Sequence, residues 1–137
     1  MTNAEIKAAL ECMTALCGPT NRLPTLAALK ADRTLRALRE AWAPVRAIQD
    51  GLIREHGKET DGGHEINPKC EGWADYVREA NALYADETEV ALHPITLKDI
   101  EAGWSRDPET GKKDGLDISP AQLGALVELG CIVDAEG

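Results

Sequence analysis

One long amphipathic pattern constrains the fold of this chain more than any other feature. Residues 25–57 keep a single hydrophobic period, with apolar and charged positions on opposite sides at 100° per residue. The apolar side holds Leu35, Leu38, Trp42, Val45, Ile48, Leu52, Ile53 and His56. The charged side holds Arg33, Arg36, Arg39, Glu40, Arg46, Asp50 and Arg54. Such a helix extends about 48 Å, longer than a compact domain needs for one core helix, so we expect part of it to project or to pack against a second chain.

Pro44 lies inside this predicted helix. A proline there removes the hydrogen bond to the Glu40 carbonyl and crowds it, which predicts a kink or a split. The apolar stripe continues in register from Trp42 to Val45. That continuity favours a kink.

Shorter elements are predicted on both sides of the long helix. Thr2 and Glu5 form a capping-box pattern for a first helix over residues 3–17, which Gly18 and Pro19 end. The two prolines of residues 18–24 suit a turn that folds this helix antiparallel to the long one.

The second half of the chain alternates predicted helices with short strands. A loop after Gly57 contains a possible strand at His64–Ile66, and a third helix is capped by Asn67 and runs to about Ala85. The alternation of Thr88, Val90 and Leu92 with polar residues predicts a strand that Pro94 ends or places at an edge. Further predicted elements are a brief helix with Leu97, Ile100 and Trp104 on one side, a hairpin whose second arm is Leu116–Ile118, a last helix capped by Ser119, and a strand or tail from Cys131.

These elements predict an α+β, mostly helical single domain over residues 1–137. It comprises a helical hairpin with one long kinked helix (residues 1–57) and an acidic part (residues 58–137) with a third amphipathic helix and a small two- or three-stranded sheet.

Charge is divided along the chain. The net charge is −9, but residues 22–58 carry +4 and residues 59–137 carry −12. An acidic surface argues against direct binding to nucleic acid or membranes and permits a basic partner. The first ten residues lack a signal peptide pattern, so we expect a cytoplasmic protein with reduced cysteines.

Possible sites for chemistry are few. His56, His64 and Cys70, with Asp61 and Glu65, match no zinc spacing. A thiol nucleophile at Cys70, in the first turn of the third helix beside His64, is opposed by Glu71 and Asp75. Asp107, Glu109, Gly111 and Asp114 could suggest a calcium-binding loop. Lysines at 112 and 113 argue against it, because an EF-hand needs further ligands there. The sequence therefore predicts no enzyme, no cofactor and no metal.

Candidate partner-binding residues come from both charged regions. Four i, i+4 pairs on the long helix, Asp32–Arg36, Arg36–Glu40, Arg46–Asp50 and Asp50–Arg54, are expected to satisfy most of its charges, which leaves Arg33 and Arg39 without intrahelical partners. The candidates are Arg33, Arg39, Trp42, Asp86, Glu87 and Glu89.

The order of segments resembles small bacteriophage proteins of unknown function encoded among tail and other late genes. The matching stretches are TNAEIKAALECMTAL, IREHGKETDGG, ADETEVALHPITLKDIE and LDISPAQLGALVELG, while Pro44, WSRDPETGKKDG and the tail after Gly130 depart from the pattern. The resemblance implies a phage or prophage origin and no catalytic residues.

Two functions follow as hypotheses. The first is a non-catalytic interaction protein, an assembly accessory or small structural component, that acts through the long helix as a homodimer or in a complex with a phage or host protein. The alternative is an anti-defence inhibitor, similar to an anti-CRISPR, whose acidic surface blocks a basic nucleic-acid site on a host complex.

Overall fold

The computed structural model describes residues 1–102, 104–106, 113–114 and 116–134. Within these ranges the chain forms a mostly helical α+β fold, as predicted. The helices are α1 (Asn3–Leu16), α2 (Thr25–His56), α3 (Trp73–Ala85), α4 (Leu97–Ala102) and α5 (Pro120–Glu128). The strands are β1 (Asn21–Arg22), β2 (Lys58–Thr60), β3 (Gly63–Glu65), β4 (Ile95–Thr96), β5 (Trp104–Arg106), β6 (Lys113–Asp114) and β7 (Ile132–Val133).

The helical hairpin of α1 and α2 forms the centre of the fold. Thr2 accepts a hydrogen bond from the Glu5 amide, and the Glu5 carboxylate accepts one from the Thr2 amide, which completes the predicted capping box. These hydrogen bonds with Thr2 lower the pKa of Glu5. The buried face of α1 packs chiefly against α2, so the hairpin excludes water from one side of each helix.

Helix α2 is continuous through Pro44 and ends at His56. Leu35, Leu38 and Val45 are buried, as the period predicts. Ile48 was placed on the same face by the sequence, but it is 52% exposed, because it lies about 60° around the helix from Val45.

The core joins the helical hairpin to the second half of the chain. Strand β4 pairs in parallel with β7, and both isoleucines that open these strands are almost fully buried. Leu126 of α5 is also fully buried against this cluster. The buried residues of the core are Ile6, Ala9, Cys12, Met13, Leu16, Ala27, Ala31, Leu35, Leu38, Ile95, Leu126, Cys131 and Ile132.

The strand predicted at residues 88–92 is an extended segment without a strand ladder. Residues 87–93 do alternate between exposed and half-buried, but their backbone groups do not form the hydrogen bonds of a sheet with a neighbouring strand. At one end Met1 accepts a hydrogen bond from the Thr88 amide, and at the other Thr34 of α2 bonds both the amide and the carbonyl of His93. The prediction of a strand was wrong because these groups take the place of a neighbouring strand.

Several boundaries differ from the prediction. Asn67 caps a separate turn, accepting from the Lys69 amide, and α3 begins only at Trp73. The loop after α2 is a hairpin of β2 and β3. Trp104 starts β5 and does not extend α4. Strand β5 pairs with β1 and with β6, and β6 ends two residues before Leu116, where the second arm of the hairpin was predicted to begin. In place of that arm, the Asp117 amide donates to the Asn21 side chain at 2.6 Å.

No helix in the described ranges is both long enough and apolar enough to cross a lipid bilayer.

Candidate functional site

The outward side of α2 is one candidate surface in the described structure. We define the outer face of α2 as Leu26, Leu29, Arg33, Glu40, Pro44, Ala47 and Ile48, all of which are exposed. At 100° per residue they fall within about 100° of arc. Leu26 is 73% exposed and Leu29 is 44% exposed. These two exposed leucines lie one turn apart and form an apolar patch. Exposed apolar patches often mark sites of protein interaction.

Most of the expected charge pairs on α2 do not form. Only Asp32 and Arg36 lie within salt-bridge distance, at 2.9 Å, among the four predicted pairs. The other three predictions were wrong because exposed i, i+4 pairs contribute only a few tenths of a kcal/mol, and long side chains remain solvated. Within the described residues, Arg33 and Glu40 therefore have no salt-bridge partner.

Arg39 and Trp42 are brought together, on a different side of α2. Both line a shallow pocket of about 370 Å³ between α1 and α2. The Trp42 ring is half-buried and stacks on Tyr84 of α3 with centroids 6.1 Å apart. Trp42 is therefore mainly a packing residue between helices, while the Arg39 side chain remains exposed.

The three acidic candidates lie on the extended segment. Asp86, Glu87 and Glu89 are exposed, and none is within 4 Å of a cationic group among the described residues. Their backbone is fixed, since the Asp86 carbonyl accepts from the Asn3 amide at 2.8 Å. They form a separate negative surface, which the structure does not combine with Arg33.

A second pocket lies where α2 ends. Its volume is about 560 Å³, and it is lined by Glu55, His56, Gly57, Lys58, Asn67, Lys69, Cys70, Glu71 and Gly72. The end of α2, strand β2 and the turn before α3 supply these residues. This pocket brings together His56 and Cys70, two of the five residues whose spacing the sequence analysis compared with zinc sites.

Cys70, the thiol considered as a nucleophile, does not lie in a helix. Cys70 lies in the turn before α3 and not in the first turn of that helix, so no helix N-terminus activates it. Its sulfur is 3.7 Å from the Glu65 carbonyl oxygen and 3.8 Å from the Asn67 side-chain oxygen. His64 is exposed on β3 and does not line the pocket.

Glu79 of α3 was not among the candidates from the sequence, yet its side chain contacts His56 of α2. The Glu79 carboxylate oxygen Oε2 lies 2.5 Å from Nε2 of His56. His56 and Glu79 are 23 positions apart in the sequence, with a hairpin and a turn between them, and a separation of that length does not specify a contact. No sequence signal marks Glu79, because at about 100° per residue it lies outside the apolar side of α3 that centres on Ala80.

The calcium-binding loop that the sequence argues against would lie at residues 107–114, and most of that loop lies outside the described residues. Comparison of the chain with protein-family models, with curated proteins and with solved structures finds no match.

Proposed function

We propose that this chain is a non-catalytic protein-interaction protein that self-associates through the outer face of α2. The observation that carries the proposal is the exposure of Leu26 and Leu29 on a helix that is 32 residues long. Removing these side chains from water on association is favourable by about 25 cal/mol per Å² of apolar area.

The same face is complementary to itself. If two copies of α2 pack antiparallel so that Arg33 of each faces Glu40 of the other, the register places Leu29 opposite the second copy's Pro44. Leu26 then lies opposite Ala47 of the second copy, with Ile48 beside it. A twofold arrangement of this kind makes every contact twice, which is the usual geometry of homodimers.

The small residues let the two helices approach closely. Pro44 and Ala47 have short side chains, so the leucines of the second copy fit between them without displacing larger groups. The contact would extend over residues 26–48, about 33 Å of helix. An interface of one helix pair is small, so we expect a dissociation constant on the order of 1–100 µM.

The phage-like order of segments supports a setting in the cytoplasm of a bacterial host. A small protein that dimerises weakly there would act as an assembly accessory, because a reversible interface is exchanged readily for one with a larger partner.

The test is sedimentation velocity of the purified chain from 1 to 500 µM. Wild type is expected to shift from monomer to dimer across this range. Leu26→Glu combined with Leu29→Glu is expected to keep the chain monomeric, while the matched control Val127→Glu, at an exposed apolar position of α5, dimerises as wild type does.

Charge reversal tests the register. Arg33→Glu and Glu40→Arg should each weaken dimerisation, because each places like charges opposite one another twice. The double variant should recover it. A wild-type chain that stays monomeric at 500 µM, or a double variant weaker than both single ones, would contradict the proposal.

A further inference from the structure

The strongest unassigned feature is a cluster of metal-ligating side chains at the end of α2. Glu55 and His56 of α2 and Glu79 of α3 each offer one ligand atom, and these atoms all lie within 4.8 Å of one another. The cluster combines one imidazole nitrogen with two carboxylate oxygens from two different helices. It borders the 560 Å³ pocket, because Glu55 and His56 both line that pocket.

The backbone around His56 is closely packed. The His56 side chain is only 13% exposed. A Cβ atom at Gly72 would lie 2.6 Å from the carbonyl oxygen of His56, and one at Gly57 would lie 2.5 Å from that of Glu65. Only glycine allows these approaches, so the turn before α3 and strand β3 pack closely against the backbone at the end of α2, which carries His56.

The ligand set distinguishes between metals. Calcium and magnesium prefer shells made of oxygen atoms alone, whereas an imidazole nitrogen suits zinc and the neighbouring divalent transition metals. Zinc sites with three protein ligands, nitrogen and carboxylate oxygen among them, leave a fourth position for water or another ligand.

We propose that Glu55, His56 and Glu79 bind a divalent transition-metal ion of the zinc class. In the metal-bound state, His56 Nε2 and Glu79 Oε2 give up their mutual hydrogen bond and both ligate the ion. The remaining coordination position faces the pocket. Lys58, Lys69 and Glu71 line the same pocket, so its wall offers charges of both signs to a further ligand of the ion.

The bound ion would join the end of α2 to the middle of α3. His56 is the last residue of α2 and Glu79 lies in the middle of α3, so a metal bond between them adds to the packing of α3 on α2. Ligands that bind only the folded chain stabilise it in proportion to the logarithm of their concentration above the dissociation constant. Thermal stability is therefore an independent readout of binding.

The experiment is isothermal titration of the metal-free full chain with zinc chloride, together with thermal unfolding with and without zinc. Wild type should bind one zinc ion per chain with a dissociation constant of about 1 µM or tighter, and its unfolding temperature should rise. Glu55→Gln and Glu79→Gln should each weaken binding by about tenfold or more. Glu55 is exposed, so its variant is not expected to disturb folding.

Two matched controls complete the test. Glu71→Gln changes a carboxylate that lines the same pocket outside the cluster, and His64→Ala removes a nearby exposed imidazole. Both should bind zinc as wild type does. Absence of 1:1 binding, or binding that Glu55→Gln and Glu79→Gln leave intact, would overturn the proposal. When sedimentation velocity is also run on metal-free protein, neither result depends on the other proposal.

Discussion

At the scale of single residues, two buried polar side chains connect parts of the chain that are distant in sequence. The Asn3 amide group donates to the Leu83 carbonyl at 2.7 Å and accepts from the Thr88 hydroxyl at 2.9 Å. The Thr34 hydroxyl of α2 likewise donates to the His93 carbonyl and accepts from the His93 amide. Buried polar groups cost several kcal/mol unless they are bonded, so each of these residues specifies where the extended segment lies.

The buried thiol of Cys131 makes stability depend on alkaline pH. Burial, followed by the nearby Cys12 thiol, raises the pKa of Cys131 from 9.0 to about 11. A raised folded-state pKa contributes stability that is fully present below pH 9 and is lost as pH rises through 11. Wild type should therefore lose on the order of 2 kcal/mol more than Cys131→Ala between pH 9 and pH 11, measured by urea unfolding. Parallel pH profiles for the two proteins would contradict this assignment.

At the scale of elements, local signals predicted the helices and non-local pairing decided the strands. The capping boxes at Thr2 and Ser119 correctly placed the starts of α1 and α5, because a cap involves residues only three apart. The partner of β4 is β7, whose residues follow it by 37 positions, and no local pattern specifies that pairing. For the same reason the alternation of residues 87–93 gave their burial but not their hydrogen-bond partners.

Pro44 is a residue of α2 that disfavours the helix in which it lies. Without an amide hydrogen, it leaves the Glu40 carbonyl without its usual donor inside a continuous helix. Pro44→Ala should stabilise the folded chain by about 1–3 kcal/mol, since alanine restores the donor and has the higher helix propensity. Urea unfolding at a concentration where the chain is monomeric measures this.

The matched control is Pro94→Ala, which changes an exposed proline in the extended segment. Here alanine gains no helical hydrogen bond and frees the unfolded chain, so we expect a loss of about 0.4–1 kcal/mol. Effects of the same sign and size at both positions would show that the helix is not the cause.

At the scale of the whole molecule, the basic and acidic regions of the chain share one hydrophobic core. Residues 59–137 carry a charge of −12, yet α5, β4 and β7 of that region pack against α1 and α2 in one cluster. The same kind of non-local packing hid the candidate metal site from the sequence. His56 was recognised as a candidate ligand, but its position against Glu79 depends on how α3 packs across α2.

Because the core is shared, a core substitution within residues 59–137 should also destabilise the helical hairpin of α1 and α2. Leu126 of α5 is fully buried against α1, so Leu126→Ala should lower the free energy of unfolding by about 2–5 kcal/mol. Hydrogen exchange should then speed up in α1 by the same factor as in α5, because both open in one cooperative transition. Val127→Ala is the matched control, since the neighbouring Val127 is exposed and its variant should change both rates little. If the amides of α1 kept their wild-type exchange rates in Leu126→Ala, residues 1–57 would be a separate folding unit, because their protection would then not depend on the core that α5 completes.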